Sequence, residues 1–355
     1  MSEKYFLGCM TAQGFSTEFG RLIEEGDRFT YILKGGAGTG KSSLMKKIAA
    51  EFETDEHVVR FYCSSDPASL DAVWLEKSDV LIVDGTSPHV FDPIYPGAAQ
   101  VIINLGENWN SRKLADDREK IIAVTDKNKS LLARAKRFTT AFSNVCSDSF
   151  NCAQGCIDEE KLNGFLTRFC KKMIPKKGSG SGRRDIRQLS AMTEFGWLTM
   201  TETLESCQEI YMMHDEYFAC SHRICESVAA EASRRGFDVI ICPSHGLNDL
   251  AYEHIIIPEL GLAMASATPL NDLRIENAKQ LNLSRFYDKM ALQRYKSRLK
   301  MNRLTAVRLA DEIYITIKNA KAVHDEIEKY YIEAMDHSAL DRLTEKLIKE
   351  IKERK

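Results

Sequence analysis

The segment Gly35-Gly36-Ala37-Gly38-Thr39-Gly40-Lys41-Ser42 fits the pattern G-x-x-x-x-G-K-[ST] and is followed by Ser43. It lies between an apolar run, Phe29 to Leu33, and an amphipathic stretch, Ser42 to Phe52, with apolar residues at Leu44, Met45, Ile48 and Ala49. That is the strand–loop–helix setting the pattern needs. Glycines let successive backbone N–H groups turn toward one anion, and the start of the following helix adds partial positive charge. In such a loop Lys41 reaches the β- and γ-phosphates of a nucleotide and the Ser42 hydroxyl is a ligand for Mg²⁺. Residues Gly35 to Ser43 are therefore the candidate nucleotide-binding set, with ATP as the expected ligand.

A metal held by Ser42 needs a carboxylate at the C-terminal end of a nearby apolar strand. Val80-Leu81-Ile82-Val83-Asp84 supplies one, so Ser42 and Asp84 are the expected Mg²⁺ ligands and Lys41 and Asp84 the first catalytic candidates. Gly85 follows Asp84 where many ATPases carry a water-orienting glutamate, so a base must come from elsewhere. Two loops offer one. Asp66, in Cys63-Ser64-Ser65-Asp66-Pro67, could position an attacking water or an acceptor hydroxyl. His89, in Thr86-Ser87-Pro88-His89, could sense the γ-phosphate. Asp66-Pro67 and Asp92-Pro93 also read simply as turn formers.

These residues sit on a pattern that occurs twice. Met10-Thr11-x-x-Gly14-Phe15-x-Thr17 is echoed about 180 residues later by Met192-Thr193-x-x-Gly196-Trp197-x-Thr199. The run ending at Cys63 matches the one ending at Cys242, and Asp84-Gly85-Thr86 falls opposite Ser266-Ala267-Thr268. Asp158 and Asp336 each open a similar amphipathic helix. Within a copy, the runs Val58 to Tyr62, Val80 to Val83 and Val101 to Leu105 read as strands buried on both faces. Helical sequence follows Trp109, runs from Asp158 to Met173, and returns from Ser284 to the C-terminus.

The expected fold is α/β, a tandem duplication of a phosphate-loop NTPase-like parallel-sheet unit, each with an appended helical block. Residues 1–177 form the first domain, the Gly/Ser-rich stretch 178–184 a flexible linker, and 185–355 the second. The second copy lacks the loop chemistry. After the strand Ile210 to Met213 come His214-Asp215-Glu216-Tyr217-Phe218-Ala219-Cys220, without glycine or lysine and with two acids. It reads as a degenerate module, structural or regulatory, pairing with the first as an intramolecular pseudo-dimer.

Composition sets the outer bounds. The chain has 355 residues, 44% hydrophobic and 28% charged, which excludes a disordered or low-complexity chain. Lys+Arg of 49 against Asp+Glu of 51 gives no global argument for nucleic acid or an anionic membrane. No run of about 18 apolar residues and no signal-peptide pattern occurs, so a cytoplasmic, non-membrane protein is expected, its 10 cysteines as thiols. Cys146, Cys152, Cys156 and Cys170, and Cys220-x-His222-x-x-Cys225, lack the paired spacing of a structural zinc site. The basic run Arg285 to Arg308 has helical spacing without an aromatic stacking platform and reads as a solvated helix face rather than a nucleic-acid surface.

With Leu33-Lys34-Gly35 through Ser43, Cys63-Ser64-Ser65-Asp66-Pro67, Asp84-Gly85-Thr86-Ser87-Pro88-His89 and Asp92-Pro93-x-x-Pro96-Gly97-Ala98, the chain resembles an uncharacterised family of bacterial, mostly Gram-positive, P-loop ATPase-like proteins built from two homologous halves. The resemblance runs end to end. It implies ATP binding at Gly35 to Ser43 and marks the Asp66 and His89 loops as family features, and it brings no substrate with it. Three functions follow as expectations. The first is Mg²⁺-dependent ATP hydrolysis coupled to a conformational or regulatory role of the second half, with a protein partner. The second is a small-molecule or nucleotide kinase, with Asp66 at the acceptor hydroxyl and Arg112, Arg118, Arg134 and Arg137 available as a lid. The third is a non-hydrolysing nucleotide-dependent adaptor.

Overall fold

A computed structural model describes residues 3–24, 28–87, 90–178, 180–247 and 251–354. The first half of the chain forms β1 (Lys4–Phe6), β2 (Gly8–Met10), β3 (Phe15–Thr17), α1 (Phe19–Glu24), β4 (Phe29–Lys34), α2 (Lys41–Phe52), β5 (Val58–Tyr62), β6 (Leu70–Leu75), β7 (Val80–Asp84) and β8 (Gln100–Asn104). The helices α3 (Ser111–Asp116), α4 (Arg118–Gln154) and α5 (Glu159–Met173) follow. The second half repeats the series as β9 (Arg184–Ile186), β10 (Ser190–Thr193), β11 (Gly196–Thr199), α6 (Thr201–Glu205), β12 (Glu209–His214), α7 (Ala219–Arg234), β13 (Val239–Pro243), β14 (Tyr252–Ile257), β15 (Leu262–Ala267) and β16 (Lys279–Asn282). It closes with α8 (Lys289–Arg294), α9 (Lys296–Ala334) and α10 (His337–Glu353).

The two six-stranded sheets have the same topology. The first runs β1-β5-β6-β7-β4-β8 and the second β9-β13-β14-β15-β12-β16. Both are mixed rather than parallel. β6 is antiparallel to β5 and β7, and β14 to β13 and β15, while the other neighbours are parallel. The expected parallel sheet is broken by Leu70 to Leu75, a further strand between β5 and β7. It reaches β7 through the short turn at Glu76–Asp79, which suits an antiparallel neighbour and leaves no room for a crossover helix. The matching order is compatible with a duplicated α/β unit. The repeated Met-Thr-x-x-Gly pattern marks the same turn twice, the Thr11 hydroxyl donating to Gly14 O (2.8 Å) and Thr193 to Gly196 O (3.0 Å).

The compact units are not the contiguous segments 1–177 and 185–355. One comprises residues 1–9, 15–135 and 315–355; the other, 10–14 and 136–314. The boundary passes through α4 and α9, so each half of the sequence ends by packing on the unit built mainly from the other. In the first unit α10 places Leu340, Leu347 and Ile351 in the core formed by Leu44, Met45, Ile48 and Phe52 of α2 with Tyr31, Val73 and Ile82 of the sheet. Asp336 caps α10 through Ala339 N–H, and Asp336 N–H donates to Asn108 O at 2.8 Å. In the second unit α5 does the same, with Leu162, Leu166 and Phe169 in the core beside Ile224, Cys225 and Val228 of α7. Asp158 N–H donates to Phe286 O at 2.7 Å.

The stretch 178–184 is also more than a spacer. Gly182 N–H donates to Ser233 O (2.7 Å), and a Cβ added there would meet Phe237 O at 1.9 Å. Arg184 already belongs to β9.

Helix exchange predicts an effect across the sequence. Leu347→Ala removes a buried side chain of the first unit's core and should cost about 2–4 kcal/mol of that unit's stability. A lowered urea midpoint checks this; an unchanged one would place α10 off the core.

Candidate functional site

In the first unit the loop Gly35 to Gly40 leaves β4 and enters α2 through two residues of positive φ, Gly38 (+69°) and Gly40 (+86°). Only glycine takes this path without strain. Gly40 is the N-cap of α2 and offers no side chain, so the first helical bond inside the helix is Leu44 N–H to Gly40 O at 2.9 Å. A helix start without a side-chain cap presents its leading N–H groups and the positive end of its dipole to the loop.

Lys41 is folded into this loop. Its ammonium donates to Gly36 O (2.7 Å) and Gly35 O (3.1 Å) and stands 3.6 Å from Asp84 Oδ2. Both side chains are largely buried, at 11% and 15% exposure, so the charges meet where water screens them poorly. The pairing follows from register, because β7 lies beside β4 with Asp84 opposite Leu33. Asp84 Oδ1 accepts the N–H (2.9 Å) and the hydroxyl (2.5 Å) of Thr86, which fixes the carboxylate and turns Oδ2 toward Lys41. Ser42 Oγ accepts the Leu70 N–H at 3.0 Å, and Thr39 donates to Gly36 O at 2.8 Å. The loop therefore combines a cation, a helix N-terminus, a hydroxyl and a carboxylate. Ser42 and Asp84 are hard oxygen donors of the kind that Mg²⁺ takes.

Asp66 is committed elsewhere. It closes its own turn, accepting from the Ser69 hydroxyl (2.8 Å) and Ala68 N–H (3.3 Å), and it pairs with Lys321 at 3.5 Å. His89 lies outside the described residues. Gly35, Gly36, Ala37 and Ser43 fall on the loop and first turn as expected.

No local pattern signals what covers the loop. A Cβ at Gly36 would meet the Tyr331 ring at 2.7 Å, at Gly38 the backbone oxygen of Glu328 at 2.7 Å, and at Gly40 the Leu340 side chain at 2.3 Å. The last turns of α9 and the start of α10 thus lie on the glycines, which need no side chain for this reason as well as for any ligand. α9 brings Lys321, His324, Asp325 and Glu328 with it, at the spacing of one helical face. Ligating atoms of His324, Asp325 and Glu328 lie within 4.8 Å of one another, and the Lys321 ammonium bonds to Asp325. Burial pulls the Lys321 pKa down, but Asp325 and Asp66 together hold it above its ordinary value. The signal was the polar spacing at 321, 324, 325 and 328; nothing in it names the surface that the face meets.

The second unit differs at each of these points. Ser266 stands opposite Met213 as Asp84 stands opposite Leu33, and its hydroxyl is turned into the protein, donating to Glu253 O at 2.6 Å. The cysteines are free thiols. Burial raises the thiol pKa of Cys146 and Cys220 to about 12 and that of Cys170 to about 11. His222 Nδ1 accepts the Tyr252 N–H at 3.1 Å, and burial lowers its pKa. Among the described residues, no helix is long and apolar enough to cross a membrane.

Gly38→Ala tests the packing without any ligand. Both its positive φ and the Glu328 backbone oppose a methyl group, so a loss of about 1–3 kcal/mol is expected in a thermal melt of the unliganded protein. An unchanged melting temperature would mean that α9 does not rest on the loop. The chain matches no family model, no curated protein and no solved structure.

Proposed function

We propose that the first unit binds ATP with Mg²⁺ at Gly35 to Ser43 and hydrolyses it, and that the second unit serves a conformational or regulatory role. The observation that carries this reading is the uncapped start of α2 with Lys41 folded into the loop beside Asp84. A buried ammonium holding two carbonyl oxygens and one carboxylate could exchange them for the charged oxygens of a phosphate. Leading N–H groups of α2 would bind the same anion without reorganisation.

Ser42 and Asp84 would hold the metal, whose charge, when bound, offsets that developing on the phosphates. Freed from Lys41, Asp84 Oδ2 is available to it. Thr86 keeps Asp84 oriented through both states. Gly85 leaves no carboxylate beside Asp84 to orient water, which points to slow turnover. Tyr331, Glu328 and Leu340 on the glycines give nucleotide binding a direct route to α9 and α10, the helices through which the fold exchanges its ends.

A second reading, phosphoryl transfer to a small-molecule hydroxyl, draws on the Asp66–Lys321 pair. Transfer of Lys321 to the γ-phosphate would release Asp66 toward an acceptor proton. Phosphate release and ADP formation separate the two. Hydrolysis gives both from ATP and Mg²⁺ alone, whereas a kinase gives ADP without free phosphate once an acceptor is added from a pooled metabolite extract.

Lys41→Ala should weaken ATP binding by about 3 kcal/mol, roughly a hundredfold. Asp84→Asn should keep most metal-free binding and lose the gain from Mg²⁺. Titration calorimetry with and without EDTA checks both; wild-type affinity in Lys41→Ala would remove the site from this loop.

A further inference from the structure

In the second unit a row of buried polar side chains crosses the ends of β9, β13 and β14. Ile186 lies opposite Ile241, and Arg187 N–H continues the ladder to Ile241 O (3.0 Å), which carries Gln188 to the level of Pro243 at the end of β13, next to Ser244. On the other side of β13, Cys242 pairs with His254 and Pro243 with Tyr252, so Glu253 is the extra residue of a bulge in β14. A bulge turns two successive side chains to one side of the strand, and the Glu253 carboxylate accordingly meets the His254 ring. Gln188, Ser244 and Glu253 are 2%, 0% and 1% exposed. Most of the row is satisfied. Gln188 Nε2 donates to Ser190 O, Ser190 Oγ is 2.8 Å from His254 Nε2, and Glu253 Oε1 meets both His254 Nε2 (3.3 Å) and Asn271 Nδ2 (3.3 Å). Three oxygens are not: Gln188 Oε1, Ser244 Oγ and Glu253 Oε2 are buried and have no hydrogen-bond partner among the described residues.

What the row lacks is a positive charge. His254 Nδ1 accepts the Ser266 N–H (3.3 Å), so the one ring proton is on Nε2 and the imidazole is neutral. Among the described residues no lysine or arginine pairs with Glu253. A carboxylate buried this deeply without a countercharge is costly, and the unmatched amide and hydroxyl beside it add to that cost. We propose that the row is a monovalent cation site, in which Glu253 Oε2, Gln188 Oε1 and Ser244 Oγ bind one alkali-metal ion, Na⁺ or K⁺. All three are hard oxygen donors, the kind that such ions take. The charge count selects a monovalent ion. One carboxylate with a neutral amide and a neutral hydroxyl balances one positive charge, whereas Mg²⁺ or Ca²⁺ would leave an uncompensated charge where water does not reach. The donors all belong to the second unit, and nucleotide binding by the first plays no part. Two other descriptions compete, a Glu253 that keeps its proton and ordered water that fills the row, and neither depends on which cation is dissolved.

The experiment is a melt of the full chain, without nucleotide or divalent cation, in NaCl, KCl and tetramethylammonium chloride at matched ionic strength; the tetramethylammonium ion is too bulky to be coordinated. At about ten times its dissociation constant the bound ion should raise the melting temperature by about 3–5 °C over tetramethylammonium and saturate with concentration. The better of Na⁺ and K⁺ identifies the ion. Glu253→Gln keeps the shape and removes the charge, and it should melt at the same temperature in all three salts. Should that variant be unfolded, Ser244→Ala, which loses one neutral ligand, should raise the half-saturating concentration about fivefold. Equal melting of the wild-type protein in the three salts overturns the proposal and leaves a protonated carboxyl or water in the row. A cation response that Glu253→Gln retains overturns it as well, as does one that Ser244→Ala leaves unchanged when Glu253→Gln is unfolded.

Discussion

A helix that begins at the edge of a buried sheet carries leading N–H groups with no partner inside the helix, and something must accept from them or stand ready to. The two units meet this constraint in opposite ways. At α7 the acceptors are internal, Asp215 and Tyr287, both buried. At α2 the N-cap is a glycine, no side chain makes a cap hydrogen bond, and Lys41 pairs with Asp84 beside the loop. One junction is complete in itself; at the other no side chain caps the helix, and the two sheets of like topology differ there.

The glycines of the first loop answer to two demands at once. Gly38 and Gly40 need positive φ to turn the chain into α2, and Gly36, Gly38 and Gly40 need to lack side chains because Tyr331, Glu328 and Leu340 lie on them. Packing alone would explain the absence of Cβ atoms. Lys41 reaches the same loop, its ammonium donating to two carbonyl groups beside the Asp84 carboxylate. Because α9 and α10 come from the far end of the chain, the second half of the sequence supplies the contacts on this loop.

Much of the sheet was legible in the sequence. The runs at Phe29, Val58, Val80 and Val101 lie within a residue or two of the observed strands, because continuous apolar sequence of that length has few other uses in an α/β fold. The repeat was legible too, through a Thr-to-Gly hydrogen bond made twice and through the aspartates that cap α5 and α10. Direction and partnership were not. Leu70 to Leu75 carries Asp71 within its apolar run and gave no sign of being a strand, so the antiparallel member of each sheet was missed. The stripe of Leu340, Leu347 and Ile351 says that α10 is buried without saying on which sheet. Of the candidate site residues, Lys41, Ser42 and Asp84 follow from the local pattern, whereas Tyr331 and Leu340 reach the loop through long-range packing that no local spacing encodes.

The number of nucleotides bound per chain tests the central claim most directly. Native mass spectrometry of the intact protein with Mg²⁺ and a non-hydrolysable ATP analogue should show one nucleotide per chain, and none in Lys41→Ala. Two per chain would contradict a single nucleotide site at the first loop, and none in the wild-type protein would contradict the assignment of that loop.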